Sequence, residues 1–456
     1  MARTRRSLCF WPAGPILLAA LLASCNPGKG KTAYVGGTLW DGTGAPPILD
    51  AVIVVDGDRV ERAGPPDQVS VPRGATEVRL DGKWVIPGLI DAHVHAARWT
   101  LARYLAYGIT SARDMGGIQD SIVALRDEVS LRSIAGPNLY ISGAMIEAAP
   151  TQHPMAVGVG SPETARRAID QLALLDGSQA KVYARIDSAL LAAIMDEAKV
   201  LNLPVAGHLG KVDALTAARM GLRSLEHLTG VVESALPNPQ LFFQAHEDFW
   251  TGWNTVARAW AGADSATLDR VARELARTGV AIVPTLVLHE GYAQLGNEGY
   301  FAGLDFSGVP DSIRRAATPA SVRQRARVLP SDLAAFRLGR RMQDLFVRAF
   351  KRAGGLVAAG SDSPNPLVPP GAGLHYELEL LVRAGLTPRE ALLAATRDAA
   401  RLLGADTIGV VRSGALADFV VLSASPLEDV ANTRRIEMVV SRGLARSAAE
   451  LRALWR

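Results

Sequence analysis

The stretch Val85-Ile86-Pro87-Gly88-Leu89-Ile90-Asp91-Ala92-His93-Val94-His95 decides the reading of this chain. It is an apolar run that ends in His-x-His. Side chains at i and i+2 of a β-strand point to one face. His93 and His95 therefore aim two imidazoles at one point, which is what a metal ion needs from a single strand. Trp84, Val85, Ile86, Leu89 and Ile90 give the unbroken apolar pattern of a strand buried on both sides, as in parallel sheets. An ordinary strand with two polar positions also shows His-x-His, so this segment alone leaves metal binding and plain packing both open.

Further runs end in a polar residue. Pro204-Val205-Ala206-Gly207-His208 and Leu222-Arg223-Ser224-Leu225-Glu226-His227 end in histidine, and Leu356-Val357-Ala358-Ala359-Gly360-Ser361-Asp362 ends in aspartate. Ala180-Lys181-Val182-Tyr183 sets a lysine inside a short strand. Helical patterns lie between them. Ser161-Pro162 opens one as N-cap and first-turn proline, with Ala165, Ala168, Ile169 and Leu172 on one face and Gly177 closing it. Ser188 to Leu201 reads as the next and Val212 to Met220 as another. This β/α alternation places a polar residue near the C-terminal end of each strand, the rim that carries the active site of a (β/α)8 barrel. A single such histidine is accounted for by packing or capping; several at matching strand ends are not.

On these residues the chain resembles the amidohydrolase superfamily of metal-dependent hydrolases. The resemblance lies in Pro87 to His95, Lys181, Gly207-His208, Ser224 to His227, Gly360-Ser361-Asp362, and the tail Thr407-Ile408-Gly409 with Gly414 to Leu422. It runs from about Tyr34 to Gly443 and looks most like the imidazolonepropionase-like and Xaa-amino-acid dipeptidase branch. It implies an α/β fold: a TIM barrel over 85–409, with a small β-sandwich built from 33–84 and 410–456. It also implies two divalent ions, expected to be Zn2+. One would be held by His93, His95, Lys181 and Asp362, the other by Lys181, His208 and His227. The activity implied is hydrolysis of an amide-type C–N bond by a metal-bridging hydroxide, with Asp362 as general acid and base. The chain departs from that branch at two loops, where Glu147-Ala148-Ala149-Pro150 and Ala184-Arg185-Ile186 lack the glycines its members often carry.

Charge supports a modified lysine. Two divalent ions, four neutral imidazoles, one carboxylate and one hydroxide leave the site positive. An ammonium there would raise the buried charge further, and neighbouring cations depress a lysine's pKa. A neutral amine that adds CO2 becomes a carbamate, negative and with two oxygens to share. Lys181 is therefore expected as N6-carboxylysine; a lysine snorkelling to solvent is the other reading.

Substrate contacts are less determined. If Lys181 points inward, Tyr183 and Arg185 share its side. Tyr183 then donates to an oxyanion and Arg185 grips a substrate carboxylate, or the two are a packed tyrosine and a solvated arginine. His289 ends Ala281 to Leu288, read as a seventh strand, and lines the pocket or lies on the surface. His153 is a weaker loop candidate and His375 reads as structural. The insertion Pro237 to Ala261, with His246 and a run of Phe and Trp, is a lid or a helix packed on the barrel.

The N-terminus reads as a signal peptide over residues 1–24: Arg3, Arg5 and Arg6, an apolar stretch Pro15 to Leu22, then Leu22-Ala23-Ser24-Cys25. That box resembles a bacterial lipoprotein signal, with Cys25 lipidated, residues 25–32 a tether, and the chain anchored at the cell envelope, at the outer rather than the inner membrane since Asn26 is not aspartate. Ordinary export is expected over a twin-arginine route, which Thr4-Arg5-Arg6-Ser7-Leu8 faintly resembles. The two cysteines, Cys9 and Cys25, leave no disulfide in the mature protein. With 456 residues and 48% hydrophobic composition the chain has room for a large core, and its net charge of +4 makes no case for nucleic acid. A small-molecule substrate is the expected partner, with a homo-oligomer open. The rival function is an inactive or promiscuous envelope protein that uses the barrel to bind a partner or small ligand. Among enzymatic readings, dipeptides or N-acyl amino acids stand beside cyclic amides and promiscuous phosphotriester cleavage.

Overall fold

The computed structural model describes residues 28–455, so the signal peptide and Cys25 lie outside the described residues. The predicted run from Val85 to His95 is two strands, Trp84–Pro87 and Leu89–Val94, which serve different sheets. Pro87 has no N–H to continue a ladder, and Gly88 sits so tightly against Thr110 that a Cβ there would overlap the Thr110 side chain. The chain changes sheet at this Pro-Gly.

Both ends of the chain build one eight-stranded sheet. Its order is Leu444–Ser447, Ile436–Ser441, Phe419–Leu422, Trp84–Pro87, Lys31–Leu39, Ile48–Asp56 and Arg59–Gly64, with Thr76–Arg79 also paired to Lys31–Leu39. The sequence reading expected two layers of a sandwich from these segments; the structure records one hydrogen-bonded sheet. Bulges between Val35 and Gly37 and between Gly37 and Leu39 explain the difference. They let one strand pair with Thr76–Arg79 along its first half and with Trp84 and Val85 along its second, which is how a sheet turns a corner. Tyr34, Ile53, Val85, Phe419 and Val440 share a buried core, with Tyr34 edge-on to Phe419 at 4.9 Å.

The remaining strands are parallel and alternate with helices, the arrangement of a TIM-barrel-like fold. Leu89–Val94, Ile109–Asp114 and Asn138–Ile141 form one sheet. The second runs Ala156–Val159, Met145–Ala148, Ala180–Val182, Val205–Gly207, Ser224–Glu226, Ala281–Val283 and Leu356–Val357. They stand as two sheets, not one continuous ring, and backbone bonds cross both seams: Ala92 N–H to Ala359 O at 2.9 Å, Asp362 N–H to His93 O at 2.7 Å and His95 N–H to Ser363 O at 2.8 Å at one, and Ser178 N–H to Ile141 O at 2.8 Å at the other. The helices obey their local signals. Pro162–Leu174 is capped by Ser161 and buries Ala165, Ile169 and Leu172; Thr387 and Glu390 close a reciprocal capping box.

The seventh strand is shorter than its sequence implies. It stops at Val283, and Leu286–Ala293 is a helix. Pro284 ends the ladder, and Thr285 turns the chain at φ 46. His289 therefore sits on a helix, not at a strand end. The aromatic insertion forms the helices Gln240–Ala245 and Phe249–Ala259.

Candidate metal centre

Strand ends bring the predicted ligands together. Leu89–Val94 is buried at every position, with His93 at its end and His95 just beyond it. Gly360 lets the eighth strand's extension press against His93: a Cβ there would lie 2.8 Å from His93 Cβ and 2.9 Å from His93 N. The backbone then delivers Asp362, whose N–H donates to His93 O at 2.7 Å. Asp362 and His227 both hold left-handed backbones, φ 62 and φ 58. Such conformations in non-glycine residues cost of order 1–3 kcal/mol each and gather at functional sites.

Asp362 Oδ1 lies 3.3 Å from His93 Nε2 and 3.3 Å from His95 Nε2. Ligand atoms of His93, His227 and Asp362 all fall within 4.8 Å of one another. The His227 ring stands 4.4 Å from His93 and 4.9 Å from His208, centre to centre. Lys181, His95, His208, His227 and Asp362 line one cavity of about 910 Å³.

Outer partners fix the imidazoles. His93 Nδ1 faces Glu226 Oε2 at 2.7 Å, and His95 Nδ1 faces Gly116 O at 2.7 Å. A carboxylate and a carbonyl can only accept, so each Nδ1 carries a proton, and a neutral ring then presents its lone pair at Nε2. Those lone pairs point at Asp362 Oδ1, itself a lone-pair donor. Acceptors crowded at 3.3 Å repel unless a proton or a metal cation lies among them. His93 Nε2 and His208 Nε2 are also buried without any hydrogen-bond partner among the described residues. Burial keeps His208 and His227 well below the usual imidazole range, hence neutral. This donor set fits divalent metal.

Residues 84–445 match the amidohydrolase family. The chain belongs to the amidohydrolase family. It is 25% identical to an imidazolonepropionase of Rhodococcus jostii over 392 residues, covering 83% of this chain and 83% of that protein. Its fold is similar to that of the bottromycin amidohydrolase, with a TM-score of 0.73, 23% identity, and 93% and 89% of the two chains covered. It is also similar to a Xaa-Pro dipeptidase with bound methionine in the active site, at TM-score 0.68 and 20% identity, covering 91% and 100%.

This member of the amidohydrolase family supports the predicted metal ligands through a network the sequence reading missed. Glu226 Oε1 accepts from Ser224 Oγ at 2.6 Å and from Arg113 Nη1 at 3.1 Å. Arg113 also donates to Gln179 Oε1 at 2.6 Å and to Ser224 Oγ at 2.9 Å. Burial works against the Glu226 charge, yet Arg113 and the His93 bond outweigh it and hold the carboxyl at about 2. Strand parity offered one clue, because Ser224 and Glu226 share a face. Nothing local pointed to Arg113. Thr285 was equally hidden; its hydroxyl meets His227 Nδ1 at 2.8 Å.

Substrate candidates divide. Tyr183 lines the cavity, stacked on Phe249 at 5.6 Å and tilted against His208 at 4.7 Å. Arg185 is not in the cavity wall: its guanidinium donates to Ala148 O and Pro150 O, tying down the very loop that lacks glycines. His289 supports the wall from behind, donating from Nε2 to His227 O at 2.9 Å and stacking on Trp253 at 5.5 Å. His153 lines the cavity. His375 is buried between Thr433 Oγ1 and Tyr107 O, a structural role as expected. The aromatic insertion contributes Phe249, Trp250 and Trp253 to the cavity wall.

Proposed function

We propose that this amidohydrolase cleaves an amide-type C–N bond in a dipeptide, an N-acyl amino acid or a cyclic amide. The observation that carries the reading is the crowding of His93 Nε2, His95 Nε2 and Asp362 Oδ1 about one point, with each Nδ1 locked by an acceptor. His93, His95, Lys181 and Asp362 would hold one ion, and Lys181, His208 and His227 the other, both Zn2+. Bound divalent ions would lower the pKa of a coordinated water to about 7 and polarise a carbonyl.

The chain's own groups do the rest. Burial pulls the Lys181 ammonium down to about 8, which brings the amine within reach of CO2 and a carbamate. Asp362 takes the proton of the attacking water at its carboxylate and returns it to the leaving nitrogen. Tyr183, kept protonated by burial, donates its O–H toward the oxygen that gains charge. Phe249 and Trp253 exclude water from the cavity wall. The dipeptidase and imidazolonepropionase resemblance supports both linear and cyclic amides as substrates.

The test is metal analysis of protein lacking residues 1–25, followed by hydrolysis of a dipeptide and N-acyl amino-acid library. About two zinc-like ions per chain are expected, with activity lost on exhaustive chelation and restored by metal. Full activity in a metal-free sample would sink the proposal. We also propose export and lipid anchoring at Cys25. Labelled fatty acid should enter the full-length protein and not Cys25→Ala; incorporation into that variant refutes the anchor. No helix among the described residues is long and apolar enough to cross a membrane.

A further inference from the structure

The cavity is large, about 910 Å³, near the upper end for drug-sized ligands. Phe249, Trp250 and Trp253 give it an aromatic wall. Histidines aside, the described lining residues include two cations, Lys181 and Arg325. Lys181 is buried among the metal ligands. Arg325 is different. It ends the short helix Pro319–Arg325 and is exposed, with no hydrogen bond or ion pair among the described residues. Its neighbours are committed. Arg327 grips both Asp248 oxygens at 2.7 and 2.8 Å, and Asn254 Nδ2 donates to Ala326 O at 2.7 Å. Asn254 lies on the helix that carries Trp250 and Trp253, so the backbone beside Arg325 is pinned to the aromatic wall. Val322, on the Arg325 helix, is buried in the same wall.

A guanidinium on a fixed backbone at the mouth of an aromatic cavity selects an apolar molecule with a negative end. It presents a planar fork of donors that matches a carboxylate. Arg185, the cation expected on sequence grounds to do this, is spent on Ala148 O and Pro150 O. We propose that Arg325 receives the substrate's carboxylate, so that the cavity takes an anionic N-acyl amino acid with a bulky apolar acyl group in preference to a neutral amide of the same shape. This rests on the amide-hydrolase reading, and it narrows the substrate class within it.

The experiment separates binding from cleavage. The probes are N-naphthoyl-phenylalanine and its carboxamide, titrated by tryptophan fluorescence against metal-loaded and chelated protein. The wild type is expected to bind the acid about tenfold more tightly than the carboxamide in both forms, the scale of one rim-exposed charged contact. Arg325→Ala should bring the ratio near one, Arg325→Glu should invert it, and Arg325→Lys should restore part of it. Arg327→Lys, which keeps a cation on Asp248 while loosening the same segment, should keep the preference. Equal binding of acid and carboxamide by wild type, or binding of neither, overturns the proposal. So does a preference that survives Arg325→Ala, because the carboxylate would then be taken by the metal centre. Product release is followed separately: binding with the expected preference but no hydrolysis would refute amide cleavage and leave Arg325 as the carboxylate contact.

Discussion

Glu226→Gln should uncouple the metal centre without touching a metal ligand. Glu226 Oε1 takes Ser224 Oγ and Arg113 Nη1, and Oε2 takes His93 Nδ1 at 2.7 Å. All three partners donate. Glutamine has one acceptor and one donor, so it can satisfy only one side. If its oxygen faces Arg113, its NH2 faces His93 Nδ1. The imidazole must then carry its proton on Nε2, where it blocks a cation. If its oxygen faces His93, its NH2 confronts a guanidinium with nowhere to move, because Arg113 is 1% exposed. Breaking a buried charged pair by removing one partner costs about 3–5 kcal/mol. The neutral acceptor that glutamine keeps puts the loss near the lower bound, about 3 kcal/mol. Loss of a ligand's outer partner typically weakens metal binding roughly ten- to a hundredfold. Denaturant unfolding of the chelated protein measures the first quantity, and competition against a chelator of known affinity measures the second. Arg113→Met combined with Glu226→Gln should recover part of both, because the glutamine oxygen is then free to face His93 Nδ1 while its NH2 meets the Ser224 hydroxyl. Wild-type metal affinity in Glu226→Gln would refute the argument that Glu226 fixes the His93 tautomer.

The other predictions concern separate parts of the molecule. Lys181→Arg should be inactive, because guanidinium cannot take up CO2, whereas Lys181→Ala should lose activity by orders of magnitude and regain some with short carboxylic acids; an active Lys181→Arg enzyme contradicts the carbamate. Glu377 is buried, with Val287 N–H donating to Oε2 at 2.8 Å and Oε1 unpartnered, and burial pushes its carboxyl from 4.5 to about 8. The unfolded chain loses this proton near 4.5 and the folded chain keeps it to about 8, so the contribution to stability is full below 4.5 and falls as pH rises through that window. Glu377→Gln should therefore gain on wild type by more than about 1 kcal/mol between pH 5 and pH 8; a melting-temperature gap that is flat with pH would contradict this. Gly252→Ala should gain up to about 1 kcal/mol from helix propensity but lose about 1–3 kcal/mol to overpacking, since its Cβ would overlap the buried His246 ring. Urea unfolding should show a net loss that His246→Ala in the same chain relieves; a stabilised Gly252→Ala contradicts the packing.

The sequence by itself determined which residues could hold metal and roughly where they sit. His93 and His95 share a face because a strand repeats every two residues, and Lys181, His208, His227 and Asp362 announced themselves at the ends of short apolar runs. Capping signals at Ser161-Pro162 and Thr387 to Glu390 were local too, and the structure follows them. What tertiary structure decided was every contact between groups far apart in the chain. No period relates Arg113 to Glu226, or Thr285 to His227; each pair meets only because adjacent strands or strand ends are brought side by side. Arg185 had the right parity for the pocket, but the nearby carbonyls of Ala148 and Pro150 claimed it first. His289 looked like a strand end until Pro284 and Thr285 turned the chain into a helix. The sandwich became a single cornered sheet through bulges around Gly37 that no propensity scale registers. Local pattern fixes which face a side chain takes, because that follows from backbone geometry alone. Which partner waits on that face depends on how distant segments pack, and that information is spread across the whole chain.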